Sequence, residues 1–330
     1  MSQRYKYLEN NILSSNIKFV TENKSPTIIN SETKKKFSFF SDIPDLIDDT
    51  KAHDITKTQK DFYNEIKFPN YDDIDDYGSL IDKSKKNILT DKLDKEISYN
   101  ARILEVGCGT GQLTNFLARY SREVYGMDLS KGSLYLAEKF RMENNIERSF
   151  FLRMDIFNML FKKNIFDIVI SNGVLHHTKD AKLAFKNIIE YLKTDGYVLI
   201  GLYHKYGRSY TRLIQLLVKY FGDKFKFMDN KNIDPNISKE KRFAWYNDQY
   251  KNPHETLHTY TEIIKWFNEN NIEYISSIPF NLNQNILKEK LFKKQPIKKG
   301  FPIYIEELIQ CFKFSQIKEG GFFIMIGRKK

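Results

Sequence analysis

The sequence predicts a doubly wound α/β fold, and two observations support this prediction. Between residues 101 and 203, apolar strand-like segments alternate with helix-like segments, which is typical of a parallel sheet covered by helices. Four successive strand-like segments of this region also end in glycine or polar residues. Open α/β sheets bind ligands outside the carboxyl ends of their strands, so this edge is the predicted functional site.

The first predicted strand, Ile103 to Val106, runs into a turn with three alternating glycines, Gly107 to Gly111. Glycine adopts positive φ without strain and lets the backbone approach a ligand closely. The spacing departs from the dinucleotide fingerprint G-x-G-x-x-G, because Gln112 stands where the third glycine belongs. The carboxylate of Glu105 repels a pyrophosphate and attracts a cation. These residues favour an adenosine ligand with a positively charged amino-acid tail over NAD.

The next three predicted strands also end in polar residues. Asp128 follows the second strand about twenty residues beyond the glycines, where an acidic residue takes ribose hydroxyls. Asp155 follows the third strand, and Asn172 follows the fourth. We therefore expect these side chains to meet at one edge of the sheet.

Residues 101–203 resemble a class I S-adenosylmethionine-dependent methyltransferase, of the broad group that includes the ubiquinone and menaquinone biosynthesis enzymes. ILEVGCGTG, VYGMDLS, RMDIF and FDIVISNGVLHHTKD match the first four motifs of that family. LKTDGYVLIGLY matches the fifth, with Asp195 and Gly196 where two glycines are usual. The resemblance implies a seven-stranded Rossmann-like sheet whose last strand, GGFFIMIGRK, lies antiparallel beside the fifth.

The resemblance also implies S-adenosylmethionine as the cofactor. Glu105 and the glycine turn would hold the methionine moiety, and Asp128 would bind the ribose. Asp155 would meet the adenine amino group, with Ile156 packed beside the ring. The full predicted cofactor-binding set is Glu105, Gly107, Gly109, Thr110, Gly111, Asp128, Leu129, Asp155, Ile156, Asn172 and Gly173.

The core is predicted to carry additions at both ends. Residues 1–95 form an N-terminal extension, in which FFSDIPDLID resembles the end of a small β module that is sometimes fused ahead of methyltransferases. Cysteines often bind zinc in that module, but this stretch has none, so no metal is predicted. Residues 96–330 form the methyltransferase domain, with a helical lid at 204–258 and a second excursion at 280–320. In the segment before the first strand, Tyr63 or Tyr71 would face the sulfonium as a cation–π partner or would pack a helix onto the sheet.

Four histidines are candidate general bases, because histidine titrates near neutral pH. His176 and His177 follow the fourth strand, and packing is the alternative role for each. His254 and His258 form an H-E-x-x-H sequence, which binds zinc only on a helix. Pro253 precedes this sequence, and Thr259 and Thr261 are both candidate caps of the next helix, so a surface loop is favoured over protease chemistry.

Composition favours a cytoplasmic protein, because two cysteines suit a reducing compartment and the N-terminal residues lack the apolar core of a signal peptide. No run of 18 apolar residues predicts a spanning helix. The net charge is +11, and residues 281–330 carry eleven Lys and Arg against four Glu, an excess of seven. This basic tail is either a solvated face or a surface for an acidic acceptor or nucleic acid.

The predicted function is methyl transfer to an O or C atom of a small-molecule or lipid-like acceptor. Amine methylation of nucleic-acid bases goes with an Asn-Pro-Pro-Tyr type fourth motif, whereas Ser171 to Val174 read Ser-Asn-Gly-Val. Cytosine C5 methylation needs a cysteine nucleophile, and Cys108 lies within the glycine turn while Cys311 lies in the tail. The alternatives are an RNA methyltransferase that uses the basic tail, and a non-catalytic S-adenosylmethionine-binding protein.

Overall fold

A computed structural model describes residues 3–22, 25–47, 58, 71, 74–235, 237–278, 290–297, 301–309 and 321–330. The strands of this part of the chain are β1 (Ile17–Glu22), β2 (Ser25–Asn30), β3 (Lys36–Phe40), β4 (Ile43–Asp45), β5 (Arg102–Val106), β6 (Glu123–Asp128), β7 (Ser149–Arg153), β8 (Phe166–Asn172), β9 (Leu192–Tyr203), β10 (Ile272–Ile278) and β11 (Phe322–Lys329). They form one mixed sheet in the order β1-β2-β3-β4-β7-β6-β5-β8-β9-β11-β10.

Helices connect and cover these strands. They are α1 (Gln3–Asn11), α2 (Tyr77–Lys86), α3 (Ile88–Glu96), α4 (Gln112–Leu117), α5 (Lys131–Glu143), α6 (Ala181–Ile188), α7 (Ser209–Phe221), α8 (Asn230–Ile233), α9 (Lys239–Tyr250), α10 (Tyr260–Glu269) and α11 (Phe301–Ile309). Short 3-10 helices span Leu175–His177 and Gly222–Met228. No helix within the described ranges is long and apolar enough to cross a membrane.

The centre of the sheet is parallel, as the alternation of strands and helices predicts. β7, β6, β5, β8 and β9 pair in parallel, and β11 inserts antiparallel between β9 and β10. Every residue of β7 is buried, and the last four residues of β5 are buried as well. Strands covered on both faces read as continuous apolar runs, which explains why these segments were recognisable in the sequence.

The prediction of seven strands is wrong, because the sheet has eleven strands within the described residues. The seven strands from β5 onward lie together, and the other four come from the N-terminal extension. β4 pairs in parallel with β7, and the Leu46 amide donates to the Arg153 carbonyl at 2.9 Å. Both Asp45 carboxylate oxygens accept from Arg153 Nη1 at 2.8 Å. Pairing of this kind covers the polar edge that β7 would otherwise expose.

Of the two candidate caps of α10, Thr259 is the N-cap, and its hydroxyl accepts from the Glu262 amide. The Thr261 hydroxyl donates instead to Glu307 at 2.9 Å. Tyr63 and most of the predicted 280–320 excursion lie outside the described residues.

Candidate functional site

The glycine turn is fastened to the neighbouring strand by backbone hydrogen bonds. In the parallel pairing of β5 with β6, Val106 lies opposite Met127. The amides of Gly107 and Cys108 both donate to the Met127 carbonyl, at 2.8 and 3.0 Å. The Gly109 amide then donates to Asp128 Oδ2 at 2.8 Å. The register of the sheet therefore brings together Gly109 and Asp128, which one helix and one strand separate in the sequence.

Glycine is required at two positions of this turn. Gly107 has φ +73° and Gly111 has φ +73°, a region that side-chain-bearing residues rarely adopt. A Cβ at position 107 would collide with the Val174 side chain, and one at position 111 would lie 2.6 Å from the Phe151 ring. Any larger residue would push the turn away from β8 or from the core.

Two carboxyl groups flank the turn, and burial raises the pKa of both. The Thr114 hydroxyl donates to Glu105, and burial raises the pKa of the Glu105 carboxyl to about 8. Burial also raises the pKa of Asp128, although its two oxygens accept from the amides of Ser130 and Gly109. A positive charge placed beside such carboxyl groups favours their ionised form. This part of the site is suited to a cation.

The third predicted carboxylate lies at the same edge. Asp155 is buried two residues beyond the end of β7, and its Oδ1 accepts from the Phe157 amide at 3.0 Å. Ile156 beside it is buried, while Leu129 is half-buried and accepts from Arg153 Nε at 2.9 Å through its carbonyl.

At the end of β8, Asn172 is exposed and Gly173 has φ +83°. The Gly173 amide donates to the Gly201 carbonyl at 3.0 Å. A Cβ on Gly201 would collide with Asn172 Oδ1, so the absence of a side chain there leaves room for Asn172. The sequence analysis missed Gly201, although a lone glycine within a strand often marks such a close approach.

Tyr71 lies against the glycine turn. Its hydroxyl donates to the carbonyl of the buried Thr110 at 2.8 Å, and its ring stacks on Phe140 with centroids 4.5 Å apart. Its predicted contact with a sulfonium stays a prediction.

His176 and His177 lie side by side in the 3-10 helix after β8, with ring centroids 4.1 Å apart. His176 is fully buried, and neither of its ring nitrogens has a hydrogen-bond partner among the described residues. Burial lowers the pKa of His176 well below its ordinary value. His177 Nδ1 is bonded to the His254 carbonyl oxygen at 2.8 Å. The two rings therefore differ, since only His177 is held in a described side-chain hydrogen bond.

The H-E-x-x-H residues lie outside any helix, in the connection between α9 and α10. His258 Nε2 is bonded to Thr256 Oγ1 at 2.9 Å, and its Nδ1 to Glu262 Oε1 at 3.1 Å. No group of three or more metal-ligating side chains that could hold an ion occurs in the described part of the chain. This geometry does not match the helical pair of histidines that zinc protease chemistry requires.

A buried polar network, which the sequence analysis did not find, lies beside the two histidines. Arg208 is fully buried and donates to both carboxylate oxygens of Glu255, at 2.7 and 2.6 Å. It also donates to Gln249 Oε1 at 3.0 Å and lies 3.4 Å above the centroid of the Tyr203 ring. Gln249 in turn donates to the Tyr203 hydroxyl at 2.7 Å. We call Tyr203, Arg208, Gln249 and Glu255 the Arg208 network.

The connection from Asn252 to Thr259 is also bonded to the carboxyl-end edge of the sheet. The Thr256 amide donates to the His176 carbonyl at 2.8 Å, and the His258 amide donates to the Tyr203 carbonyl at 3.0 Å. Backbone bonds therefore hold this connection against β9 and the two histidines.

Comparison with known proteins identifies the central part of the chain. Residues 104–200 match the family described as a methyltransferase domain. A ubiquinone biosynthesis O-methyltransferase of Pelagibacter ubique is 28% identical over 130 residues, which are 38% of this chain and 53% of that protein. A malonyl-[acyl-carrier protein] O-methyltransferase of Bacillus anthracis is 27% identical over 39% of this chain and 48% of its own length. The chain thus spans about half the length of these relatives.

The fold is shared with a solved structure, that of PKMT2 from Rickettsia typhi, at a TM-score of 0.51 and 15% identity. The match covers 70% of this chain and 49% of that one. Together, the fold, the glycine turn and the family match define a class I S-adenosylmethionine-dependent methyltransferase domain. Residues 104–200 match that family, and the cofactor is S-adenosylmethionine.

Proposed function

We propose that this protein methylates an O or C atom of a small-molecule or lipid-like acceptor in the cytoplasm. The observation that supports this most strongly is the turn at 107–111, fixed on Asp128 beside the buried Glu105. S-adenosylmethionine, when bound, supplies a methyl group that is already activated for transfer. The protein then contributes binding, alignment and a base where the acceptor must lose a proton.

The residues at the turn fit this cofactor. It carries positive charge on its sulfonium and its ammonium group, and burial holds the pKa of Glu105 near 8, so a cation would relieve an unfavourable ionisation. We propose that Glu105 and the turn hold the methionine moiety and that Asp128 binds the ribose. The Asp128 carboxylate accepts backbone hydrogen bonds from Gly109 and Ser130, and a remaining lone pair can accept from a ribose hydroxyl.

The adenine and the reacting end would be held by the next two strand ends. We propose that Asp155 accepts from the adenine amino group, with Ile156 and Leu129 against the ring. Asn172, the last residue of β8, and Gly173 would border the methyl group, and Gly201 leaves room for the Asn172 side chain.

Among the four histidines, we propose His176 as the general base. A ring whose pKa is lowered stays neutral at pH 7, and neither ring nitrogen of His176 has a described partner, so the nitrogen that carries no proton is available to accept one from an acceptor hydroxyl. His177 and His258 are already held in hydrogen bonds, and His254 contacts His177 through its carbonyl. We propose that these three position His176 and the connection over it.

The acceptor class rests on two further observations. Burial raises the pKa of the Cys108 thiol well above its ordinary value, which disfavours the thiolate that cytosine C5 methylation needs. Two of the relatives are named as O-methyltransferases. We propose that residues 204–258 close over the acceptor, because this segment contains Arg208, Gln249 and Glu255 of the Arg208 network and most of the connection bonded to His176.

The test is transfer of labelled methyl from S-adenosylmethionine to fractions of a cell extract by the purified protein. We expect label in a small-molecule or lipid fraction, and much less transfer by Asp128→Ala at the same low concentration of S-adenosylmethionine. Label in RNA would support the alternative of an RNA methyltransferase. Binding without transfer to any fraction would support a non-catalytic protein.

A further inference from the structure

Helix α7 presents two different apolar faces. Ile214 and Val218 are buried and pack with Tyr246 of α9. Leu213, Leu216 and Tyr220 follow one another at intervals of three and four residues, so they share a second face. These three side chains are 49%, 52% and 73% exposed. A helix that needed only its packing face would carry polar residues at these positions.

The exposed face continues into the 3-10 helix that follows. The rings of Phe221 and Phe225 lie 5.6 Å apart, and those of Phe225 and Phe227 lie 6.3 Å apart. Phe221 and Phe227 are 59% and 57% exposed. Single exposed apolar side chains are ordinary, but a contiguous set marks a contact surface. We call Leu213, Leu216, Tyr220, Phe221, Phe225 and Phe227 the α7 apolar surface.

Basic residues accompany this surface. Arg212 and Lys219 are exposed and lie seven residues apart, on one flank of the apolar face. Residues 209–228 contain four Lys and Arg and one acidic residue, Asp223, which gives a net charge of +3. Asp223 is paired with Lys251 at 3.3 Å and bonded to the Tyr246 hydroxyl. Aromatic and leucine side chains beside Lys and Arg are typical of helices that lie in a membrane interface.

We propose that the α7 apolar surface docks on an anionic lipid membrane. Apolar side chains would enter the boundary between headgroups and acyl chains, while Arg212 and Lys219 would contact lipid phosphates. A second copy fits less well, because a symmetric contact would bring the same basic residues of both copies together. The proposal goes beyond the proposed methyl transfer. It can be tested separately, because vesicle binding is measured without a methyl acceptor.

The test is co-sedimentation of the full chain with vesicles that contain phosphatidylglycerol, compared with pure phosphatidylcholine vesicles. We expect binding only to the anionic vesicles, and less of it as salt rises. Leu216→Ser/Tyr220→Ser/Phe227→Ser should abolish binding. The matched control, Tyr135→Ser/Met142→Ser/Leu183→Ser, removes exposed apolar side chains on α5 and α6 and should leave binding unchanged. Arg212→Gln/Lys219→Gln should weaken binding roughly fivefold per charge.

Three results would overturn the proposal. The first is vesicle binding that both triple variants retain equally, and the second is no vesicle binding by the wild type. The third is a dimer in light scattering that only the α7 triple variant dissolves, since a second copy would then cover this surface. Calorimetry measures the affinity of the same variants for S-adenosylmethionine. Neither triple variant changes the glycine turn, so both should bind the cofactor like the wild type, and a failure of the membrane proposal can be told apart from a failure of the proposed function.

Discussion

The carboxyl-end edge of the sheet contains two regions that are built differently. The cofactor region, from Glu105 to Ile156, relies on backbone amides and carboxylates that the register of β5 and β6 brings together. The acceptor region, around His176 and the Arg208 network, relies on side chains from separate segments, and Arg208 and Glu255 alone are 47 residues apart in the sequence. We therefore expect substitutions in the first region to weaken ligand binding, and substitutions in the second to affect stability or turnover.

The largest effect on stability is expected for Arg208→Met. Removing the guanidinium leaves the Glu255 carboxylate without its two hydrogen bonds in a site that is almost closed to water. Breaking one partner of a buried ion pair costs about 3–5 kcal/mol of the free energy of unfolding. Chemical denaturation measures this change.

The matched control is Arg328→Met, which removes an arginine from the exposed pair with Asp195. Exposed ion pairs contribute about 0–1 kcal/mol, so the free energy of unfolding should barely change. Equal losses for the two variants would show that burial of the Arg208 network does not determine its contribution.

The next effect is on turnover, in His176→Phe. Because neither ring nitrogen has a described partner, an apolar ring of similar size should leave the thermal midpoint nearly unchanged. Loss of a general base should lower kcat by about 10²–10⁴-fold. S-adenosylmethionine affinity in calorimetry should stay at the wild-type value. An unchanged kcat would remove His176 from the mechanism and leave it a packing role.

A smaller effect, on affinity, is expected in the cofactor region for Asp128→Ala. This variant loses the ribose contact and the bond that fixes the Gly109 amide. A hydrogen bond to a charged group contributes about 1.5–3 kcal/mol, so affinity for S-adenosylmethionine should fall roughly ten- to hundredfold or more. Asp91→Ala, which removes a half-buried helix carboxylate paired with the exposed Lys95, is the control. If both variants bind like the wild type, the assignment of the site is wrong.

The two regions also differ in how far the sequence predicts them. The turn and Asp128 were predictable, because parallel neighbours place consecutive strand ends at one edge. The partners of Arg208 were not, since no local period links it to Gln249 or Glu255. The four strands of the N-terminal extension were not predictable as part of this sheet either. β4 is only three residues long, and it pairs with β7 through a single residue pair, Asp45 with Arg153. Tertiary contacts of that kind leave no periodic pattern in the sequence.

The last effect concerns pH and belongs to Glu105. Its pKa in the folded protein is raised from 4.5 to about 8, so the folded state retains a proton that the unfolded chain has lost. Stability from this group is fully present below about pH 4.5 and is lost as pH rises through 8. Between these values the wild type should lose thermal stability relative to Glu105→Gln, which keeps an acceptor for Thr114 but does not titrate. Saturating S-adenosylmethionine should reduce the loss in the wild type, because a cation beside Glu105 favours its ionised form. If the thermal midpoints of the two proteins change equally with pH across this range, the raised pKa of Glu105 is contradicted. The argument that burial prepares Glu105 for a positively charged ligand would then fail as well.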